Sequence, residues 1–241
     1  MRLDTYLVQR HNYSRSRAQL LIDDGSVLIN GVVATKANKT VQLNDHVAVT
    51  DTIKFVSRAG LKLAYALEAF TINASNKICL DIGSSTGGFT DCLLQQSALH
   101  VDAVDVGTDQ LVDVLRLNPR VSVYEQTDIR VFNNSQRYDL IVCDASFISL
   151  LKIIPELPRF SKEFTEVLLL IKPQFEVGKE YLGKGGIVND EMRVVEVITD
   201  IVTAAQTLGY RINNEVKLCP IKGGDGNQEY IACFTYVKKS V

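Results

Sequence analysis

The ten residues Asp81-Ile82-Gly83-Ser84-Ser85-Thr86-Gly87-Gly88-Phe89-Thr90 constrain this chain more than any other stretch. They follow a short apolar run, Ile78-Cys79-Leu80, and lead into a helical pattern that reaches Gln96. A strand closed by an acid, a glycine turn and a helix start together predict the first βα unit of a doubly wound sheet. Glycines at 83, 87 and 88 allow a tight turn and a close approach of backbone to a ligand. Ser85 stands where the G-x-G-x-x-G fingerprint needs its second glycine, the one that contacts a pyrophosphate, so a dinucleotide is disfavoured. The acid and the later glycines suit S-adenosylmethionine better, and the plain alternative is a glycine-rich turn that binds nothing.

The rest of the chain continues the alternation. Strands are expected at 77–82, 101–106, 121–125, 138–144 and 167–172, with helices near 88–97, 109–116 and 149–159 and one opening at Ser57 that turns Leu63, Leu67 and Phe70 inward. A long amphipathic helix from Asp190 to Leu208 ends at Gly209, and two last strands, near 210–218 and 229–237, have no helix between them. The first sixty residues have another character. Helices over Arg2–Arg10 (Leu3, Tyr6 and Leu7 inward) and Arg15–Asp23 (Ala18, Leu21 and Ile22 inward) flank a break at Asn12-Tyr13-Ser14, where Ser14 can cap the second helix. Asp24-Gly25 ends that helix. A strand, turn and strand over 27–33, a strand over Asp45–Thr50 and a connector over Asp51–Val56 complete a small α+β module. The expected division is therefore 1–58 and 59–241.

Charge separates along the same line. The net value of −2 combines eight Lys/Arg against five Asp/Glu in residues 1–60 with eighteen against twenty-three in the remainder. The five cysteines (79, 92, 143, 219 and 233) form no C-x-x-C pair and lie in apolar patterns, as reduced, buried thiols do. No metal site is expected. The start Met1-Arg2-Leu3-Asp4 lacks an apolar signal region, and the run Val167–Ile171 is far too short to span a bilayer. These features predict a cytoplasmic protein without a membrane partner, of open oligomeric state.

The first module resembles a known family. R-L-D-x-Y-L followed by S-R-S-R-A-Q-x-L-I-x-x-G-x-V-x-I-N-G is similar to the S-four-type RNA-binding domain, which covers most of residues 1–50. The resemblance implies that Arg2, Arg15, Arg17, Gln19 and Lys36 face RNA. Such side chains mostly touch phosphates, which supplies affinity and register rather than sequence choice. With no exposed aromatic run for stacking bases, the module is expected to read folded RNA by shape.

In the larger part, acids close successive strands. Asp105, about twenty residues past the glycine loop, suits the two ribose hydroxyls of an adenosine, and Asp128 suits the adenine amino group. Either acid alone is more often a solvated strand end, and their order after Asp81 strengthens the joint reading. Asp144 in Cys143-Asp144-Ala145-Ser146 and Lys172 in Ile171-Lys172-Pro173 end strands at the ligand side of the sheet. Lys172 could instead snorkel to solvent, although Pro173 stops its strand at the crevice. Glu229 opens the last strand, and Lys62 lies in the helix before the first.

Lys62, Asp144, Lys172 and Glu229 fall in the order of the Lys-Asp-Lys-Glu tetrad of FtsJ-type ribose 2′-O-methyltransferases. The strings S-R-A-G-L-K-L, V-D-V-G, C-D-A-S-F-I-S-L, L-I-K-P-Q-F-E-V-G, K-G-G-I-V-x-D and G-N-Q-E-Y-I, with the module in front, resemble the TlyA family, often labelled hemolysin A. The resemblance implies a Rossmann-like methyltransferase sheet behind a small α+β RNA-binding domain. It also implies S-adenosyl-L-methionine-dependent methylation of cytidine 2′-oxygens in ribosomal RNA, on one or both subunits. The cofactor would be held by Asp81, Gly83, Ser84, Ser85, Thr86, Gly87, Gly88, Phe89, Asp105, Asp128 and Asp144. A free lysine is protonated at neutral pH. Burial and Lys62 would favour the neutral amine of Lys172 and Asp144 the ammonium, so base catalysis and simple orientation of the hydroxyl both stay open. The rival readings are a ribosome-binding assembly factor with an inactive cofactor domain, and a cytolysin as the hemolysin label suggests.

Overall fold

A computed structural model describes residues 1–11, 13, 15–23, 25–49, 54–223 and 226–237, with only the backbone at 16, 17, 20 and 23. The Ser14 cap, the Asp24 helix stop, Thr50, the 51–53 part of the connector and the Arg17 side chain lie outside the described residues. The chain divides into two compact units, Met1–Arg58 and Ala59–Val241.

In the smaller unit, α1 (Leu3–His11) and α2 (Arg15–Asp23) precede β1 (Val27–Ile29), β2 (Val32–Val33) and β3 (Val47–Val49). The sheet order is β2-β1-β3, all antiparallel. Leu3, Leu7, Ala18, Leu21 and Ile22 are almost wholly buried with Val27, Ile29 and Val41, and Tyr6 packs at their margin. The i, i+3, i+4 spacing thus puts one stripe of each helix on a common core.

The larger unit opens with α3 (Ala59–Ala69), followed by β4 (Ile78–Ile82), α4 (Gly88–Gln95), β5 (His100–Val104), α5 (Asp113–Arg116), β6 (Val121–Tyr124), β7 (Tyr138–Cys143) and β8 (Ser161–Ile171). Next come α6 (Pro173–Glu176), α7 (Glu191–Thr207), β9 (Tyr210–Ile212), β10 (Lys217–Leu218) and β11 (Tyr230–Tyr236). The eight-stranded sheet runs β10-β11-β8-β7-β4-β5-β6, with β9 also paired to β11. Strands β6, β5, β4, β7 and β8 are parallel, and β11 enters antiparallel beside β8. The order reverses between β4 and β7, where such sheets open a crevice at the carboxyl ends of their strands. Leu80, Ile141, Val167, Leu169 and Phe234 form the sheet's core, covered by Val197, Ile201 and Ala205 of α7. Asp190 caps α7, its side chain accepting from the Arg193 N–H.

Three expectations change. Residues 149–159 form 3-10 turns over 150–152 and 154–159 instead of an α-helix. Pro155 and Pro158 lack the N–H an α-helix needs, and their rings obstruct the preceding turn. Strand β8 begins at Ser161, six residues earlier than its apolar run. Its polar start is recruited through the Tyr138–Ser161 pair and the Thr165 hydroxyl, which donates to the Tyr138 carbonyl at 2.6 Å. The stretch 210–218 splits into β9 and β10, which pair with opposite ends of β11 along the edge that β8 leaves. Among the described residues no helix is long and apolar enough to cross a membrane. All five cysteines are buried and none is in a disulfide, and burial pushes the Cys79, Cys143 and Cys233 thiols up to about 12.

A buried polar knot ties β5 to β7. The Tyr138 hydroxyl donates to Asp102 Oδ2 at 2.6 Å, Asn134 donates to the same oxygen at 3.1 Å, and His100 Nε2 lies 3.1 Å from Oδ1. Asp102 is 4% exposed, so each lost partner leaves a carboxylate away from water. Tyr138→Phe is expected to cost about 1.5–3 kcal/mol. Urea unfolding followed by circular dichroism would read this, and an unchanged midpoint would contradict it.

Candidate active site

The loop after β4 begins where Gly83 and Ser84 donate their N–H groups to the Val104 carbonyl of β5. Gly83 has φ +81, and a Cβ placed on it would lie 2.9 Å from Ala145 Cα and 3.1 Å from the Asp144 carbonyl carbon. Any side chain there would push apart the carboxyl ends of β4 and β7. Ser84, Gly87, Gly88 and Phe89 are buried, Ser85 is exposed and Thr86 is between. The Phe89 ring turns inward to line a small cavity with Lys62, Leu63, Ala66, Leu168, Leu170 and Ile231. Its side chain therefore packs α4 against α3, and only its backbone is left to the loop. Gly87 precedes α4 with no side-chain cap, a helix end that favours an anionic group, although the Thr90 N–H of its first turn already serves Asp81.

Asp81 closes β4 in full burial. Its Oδ2 accepts from the Thr90 hydroxyl at 2.6 Å, and its Oδ1 has no partner. Burial, with the nearby Asp144 and Asp105 charges, pushes its carboxyl up to about 7 against the Thr90 hydrogen bond. Such an acid awaits a cationic group. Asp105 accepts from Ser85 N at 2.8 Å on Oδ2 and from Gly107 N at 2.7 Å on Oδ1, and each oxygen keeps a lone pair for a hydroxyl. Asp128 is held by Arg130, whose Nε lies 3.0 Å from both its oxygens, and this pairing lowers its carboxyl. The sequence pattern alone does not show that partner.

The four residues of the expected tetrad come together at the sheet's crevice as two ion pairs. Lys62 Nζ donates to Glu229 Oε2 at 2.5 Å, and both side chains are at least nine-tenths buried. Burial raises the Glu229 carboxyl, while Lys62 and then Lys172 oppose that rise and Asp144 adds to it, so Glu229 feels the other three charges. Lys172 Nζ lies 2.7 Å from Asp144 Oδ1. That contact is electrostatic without hydrogen-bond alignment, because Oδ1 lacks an aligned donor. The aligned bonds of Lys172 go to the Ser146 hydroxyl at 2.8 Å and the Asp144 carbonyl at 3.2 Å. A lysine so placed is aimed by three oxygens at one point of the crevice.

Several residues that complete the site were not singled out from the sequence. Ser146 steadies Lys172. Glu176, after Lys172, accepts from the Ser149 hydroxyl at 2.6 Å and Leu150 N at 2.8 Å, and Phe147 and Phe175 pack with ring centroids 5.0 Å apart. The loops after β7 and β8 are thereby tied to each other. Asn227 is buried, accepts from Val188 N and donates to the Gly186 carbonyl, both at 2.9 Å. It fastens the K-G-G-I-V segment to the stretch leading into Glu229. The strings that contain these residues were visible, but their hydrogen bonds join positions 26 to 41 residues apart, and no short spacing carries such a signal.

In the smaller unit Arg15, Gln19 and Lys36 are exposed. Arg2 is also exposed but makes a fork to Asp4, with Nε to Oδ1 at 3.0 Å and Nη2 to Oδ2 at 2.6 Å. That fork holds the Asp4 carboxyl down at about 2, so Arg2 meets an anion only by sharing or leaving Asp4.

A parallel sheet with an antiparallel strand inserted beside β8, a glycine loop after β4 and a paired Lys-Asp-Lys-Glu cluster define a Rossmann-like methyltransferase. The family profile for the FtsJ-like methyltransferase matches residues 55–236, and that for the S4 domain matches residues 1–47. The chain belongs to the FtsJ-like methyltransferases, within the S4-bearing group of TlyA and hemolysin A proteins. It is similar to the 23S rRNA (cytidine-2′-O)-methyltransferase TlyA of Campylobacter jejuni, at 39% identity over 99% of this chain and 100% of that one. It is also similar to the 16S/23S rRNA (cytidine-2′-O)-methyltransferase TlyA of Mycobacterium tuberculosis, at 42% identity over 95% of this chain and 87% of that one. Among solved structures, a hemolysin from Streptococcus thermophilus superposes with a TM-score of 0.77 at 34% identity, covering 99% of this chain and 89% of that one.

Asp81 gives the site a pH signature. Its pKa in the folded protein, about 7, exceeds the ordinary 3.8. The folded state therefore binds the extra proton between those values, and this residue's contribution to stability is lost as pH rises from about 4 to 7. Asp81→Asn removes the titration. The variant's melting temperature relative to wild type, both without ligand, is expected to be higher at pH 8 than at pH 5. An identical difference at both pH values would contradict the assignment.

Proposed function

We propose that this chain transfers the methyl group of S-adenosylmethionine to the 2′-oxygen of cytidines in ribosomal RNA. The observation that carries the reading is the buried Lys62–Glu229 and Lys172–Asp144 cluster at the strand ends beside the glycine loop. The names of the relatives support the substrate, one pointing to 23S and the other to 16S/23S rRNA. In this reading the protein works in the cytoplasm, where ribosomal subunits are assembled.

The residues present fit the cofactor. The unpartnered Asp81 oxygen suits a cationic amine, the start of α4 an anionic carboxylate, Asp105 the ribose hydroxyls and Asp128 the adenine amino group. The backbone from Gly83 to Phe89 forms the floor, and Asp144 borders it. The bound cofactor supplies an electrophilic methyl on a sulfonium. A ribose hydroxyl attacks such a carbon only when aligned with the bond that breaks, so positioning is much of the catalysis. Lys172, steadied by Asp144 and Ser146, aligns the hydroxyl, and in the neutral-amine form, reached once its ammonium proton has passed to solvent, it takes up the hydroxyl proton as the oxygen is methylated. Lys62 and Glu229 hold their pair against the cluster and keep its net charge near zero. Burying four charges is costly unless they are paired, and an inert cofactor-binding factor has no need of the arrangement.

The 1–58 unit acts as the RNA-docking module, with Arg15, Arg17, Gln19 and Lys36 against phosphates and Arg2 joining when it parts from Asp4. Its contribution is affinity and register, while the 59–241 unit performs the chemistry.

Lys172→Ala and Asp144→Ala are each expected to lower methyl transfer by about 10²–10⁴-fold, with cofactor binding retained in Lys172→Ala. Their effects should be non-additive, since groups acting as a unit fail together. Lys172→Arg should not restore transfer, because a planar, permanently charged guanidinium is a poor substitute for a compact amine. The measurement is tritiated methyl transfer to unmodified ribosomal subunits with the label located by nuclease digestion. Label on a base would overturn the reaction, and full activity of Lys172→Ala would overturn its assigned role.

Arg15→Glu is expected to weaken RNA binding while leaving S-adenosylhomocysteine binding unchanged. The slope of log affinity against log salt should flatten by about 1, as for one lost phosphate contact. Filter binding at several salt concentrations reads the slope, and an unchanged slope would remove Arg15 from the interface.

A further inference from the structure

The turn after β5 is held from outside by one side chain. Glu125, just beyond β6, accepts from three consecutive backbone N–H groups: Asp109 at 2.9 Å on Oε2, and Gln110 at 3.0 Å and Leu111 at 3.1 Å on Oε1. Arg116 Nη2 of α5 adds a fourth donor at 2.8 Å. The carboxylate is 12% exposed. Three of these donors share Oε1 and one takes Oε2, so most of the carboxylate's roughly four acceptor sites are spent on the chain's own backbone and Arg116.

What Glu125 holds is the rim of the adenosine site. The same turn includes Gly107, whose N–H donates to Asp105 Oδ1 and whose carbonyl accepts from Gln126 N at 2.9 Å. Asp105 is in turn the acid bonded to Ser85 N of the glycine loop. Beyond the turn, Leu111 and Leu115 fill the space that a side chain on Gly87 would need, with Cδ1 atoms 2.8 and 2.3 Å from the position of its Cβ. Asp109 and Gln126 have φ of 51° and 53°. Non-glycine residues adopt that region at a cost in strain and keep it where the surroundings impose it. At Asp109 the imposing contact is Glu125.

We infer that Glu125 is a positioning residue for the adenosine half of the cofactor, fixing the turn 107–111 between Asp105 and the glycine loop without touching the ligand itself. The inference rests on the reading of Asp105 as the ribose acceptor. Without Glu125, three N–H groups and Arg116 turn to water, the turn gains alternative conformations, and ordering it again weakens binding. The methionine half, next to Asp81 and the start of α4, keeps its contacts.

The test is calorimetry on the full chain with two ligands, S-adenosylhomocysteine and 5′-methylthioadenosine, which lacks the amino-acid end. Glu125→Ala is expected to weaken both by the same factor, about tenfold or more, with RNA affinity unchanged. Glu125→Gln keeps one carbonyl acceptor and is expected to lose about threefold for both ligands, a partial rescue that also serves if the alanine variant folds poorly. Asp81→Asn, run in parallel, should weaken S-adenosylhomocysteine while sparing methylthioadenosine. Unchanged affinities in both Glu125 variants, or a loss confined to S-adenosylhomocysteine, would overturn the inference alone. A wild-type protein that binds neither ligand would overturn the cofactor reading and this inference with it.

Discussion

The contact between the ends of β4 and β7 governs the larger unit. Gly83 sits against the Asp144–Ala145 backbone at a distance no Cβ could share, in a left-handed conformation that glycine takes without strain. Because the two strand ends can close in this way, Asp81 and Asp144 come near enough for each charge to be felt by the other. The point of closest approach is also where strand order reverses. One missing methyl group thus lets the glycine loop and the acids Asp81 and Asp144 share a single crevice.

Around that crevice the charges are arranged by pairs. Lys62 reaches Glu229 from the helix before the first parallel strand, across 167 residues of chain, and Lys172 reaches Asp144 between neighbouring parallel strands. Pairing offsets the desolvation of each group only when geometry is good and the remaining lone pairs are used. The Ser146 hydroxyl and the Asp144 carbonyl meet that need for Lys172. Asp81 and Asp144 each bury an oxygen without a hydrogen-bond partner, and the Asp144 oxygen has Lys172 Nζ 2.7 Å away whereas no ion pair among the described residues reaches Asp81.

The loops beyond the strand ends are fixed by side chains from other segments. Glu176 holds the start of the 150–152 turn, Asn227 holds the segment around Gly186, and Glu125 holds the turn after β5. Each uses one polar side chain to collect two or more hydrogen-bond partners from another segment. Loops so tied keep a shape without needing a hydrophobic core of their own.

Local pattern was enough to read much of this protein. The helical stripes of α1, α2 and α7, the parallel strands, the glycine loop and the order Lys62, Asp144, Lys172, Glu229 depend on periodicity, on turn chemistry or on motif order, all written along the chain. The spacing over 149–159 suggests a helix, but Pro155 and Pro158 lack the N–H groups it needs and the segment forms 3-10 turns instead. The early start of β8 was missed because its polar residues gain strand form only from pairing with Tyr138. The sequence alone could place Asp128 and Asp105 at strand ends, and it could not show that Arg130 occupies the former or that Ser85 and Gly107 orient the latter. Tertiary structure alone decided the pairing of Lys62 with Glu229, the Ser146 contact to Lys172, the inward turn of Phe89 and the four donors on Glu125. Those facts depend on distances between segments far apart in the chain, and a hydrogen bond a few ångströms long is set by packing that no local spacing encodes.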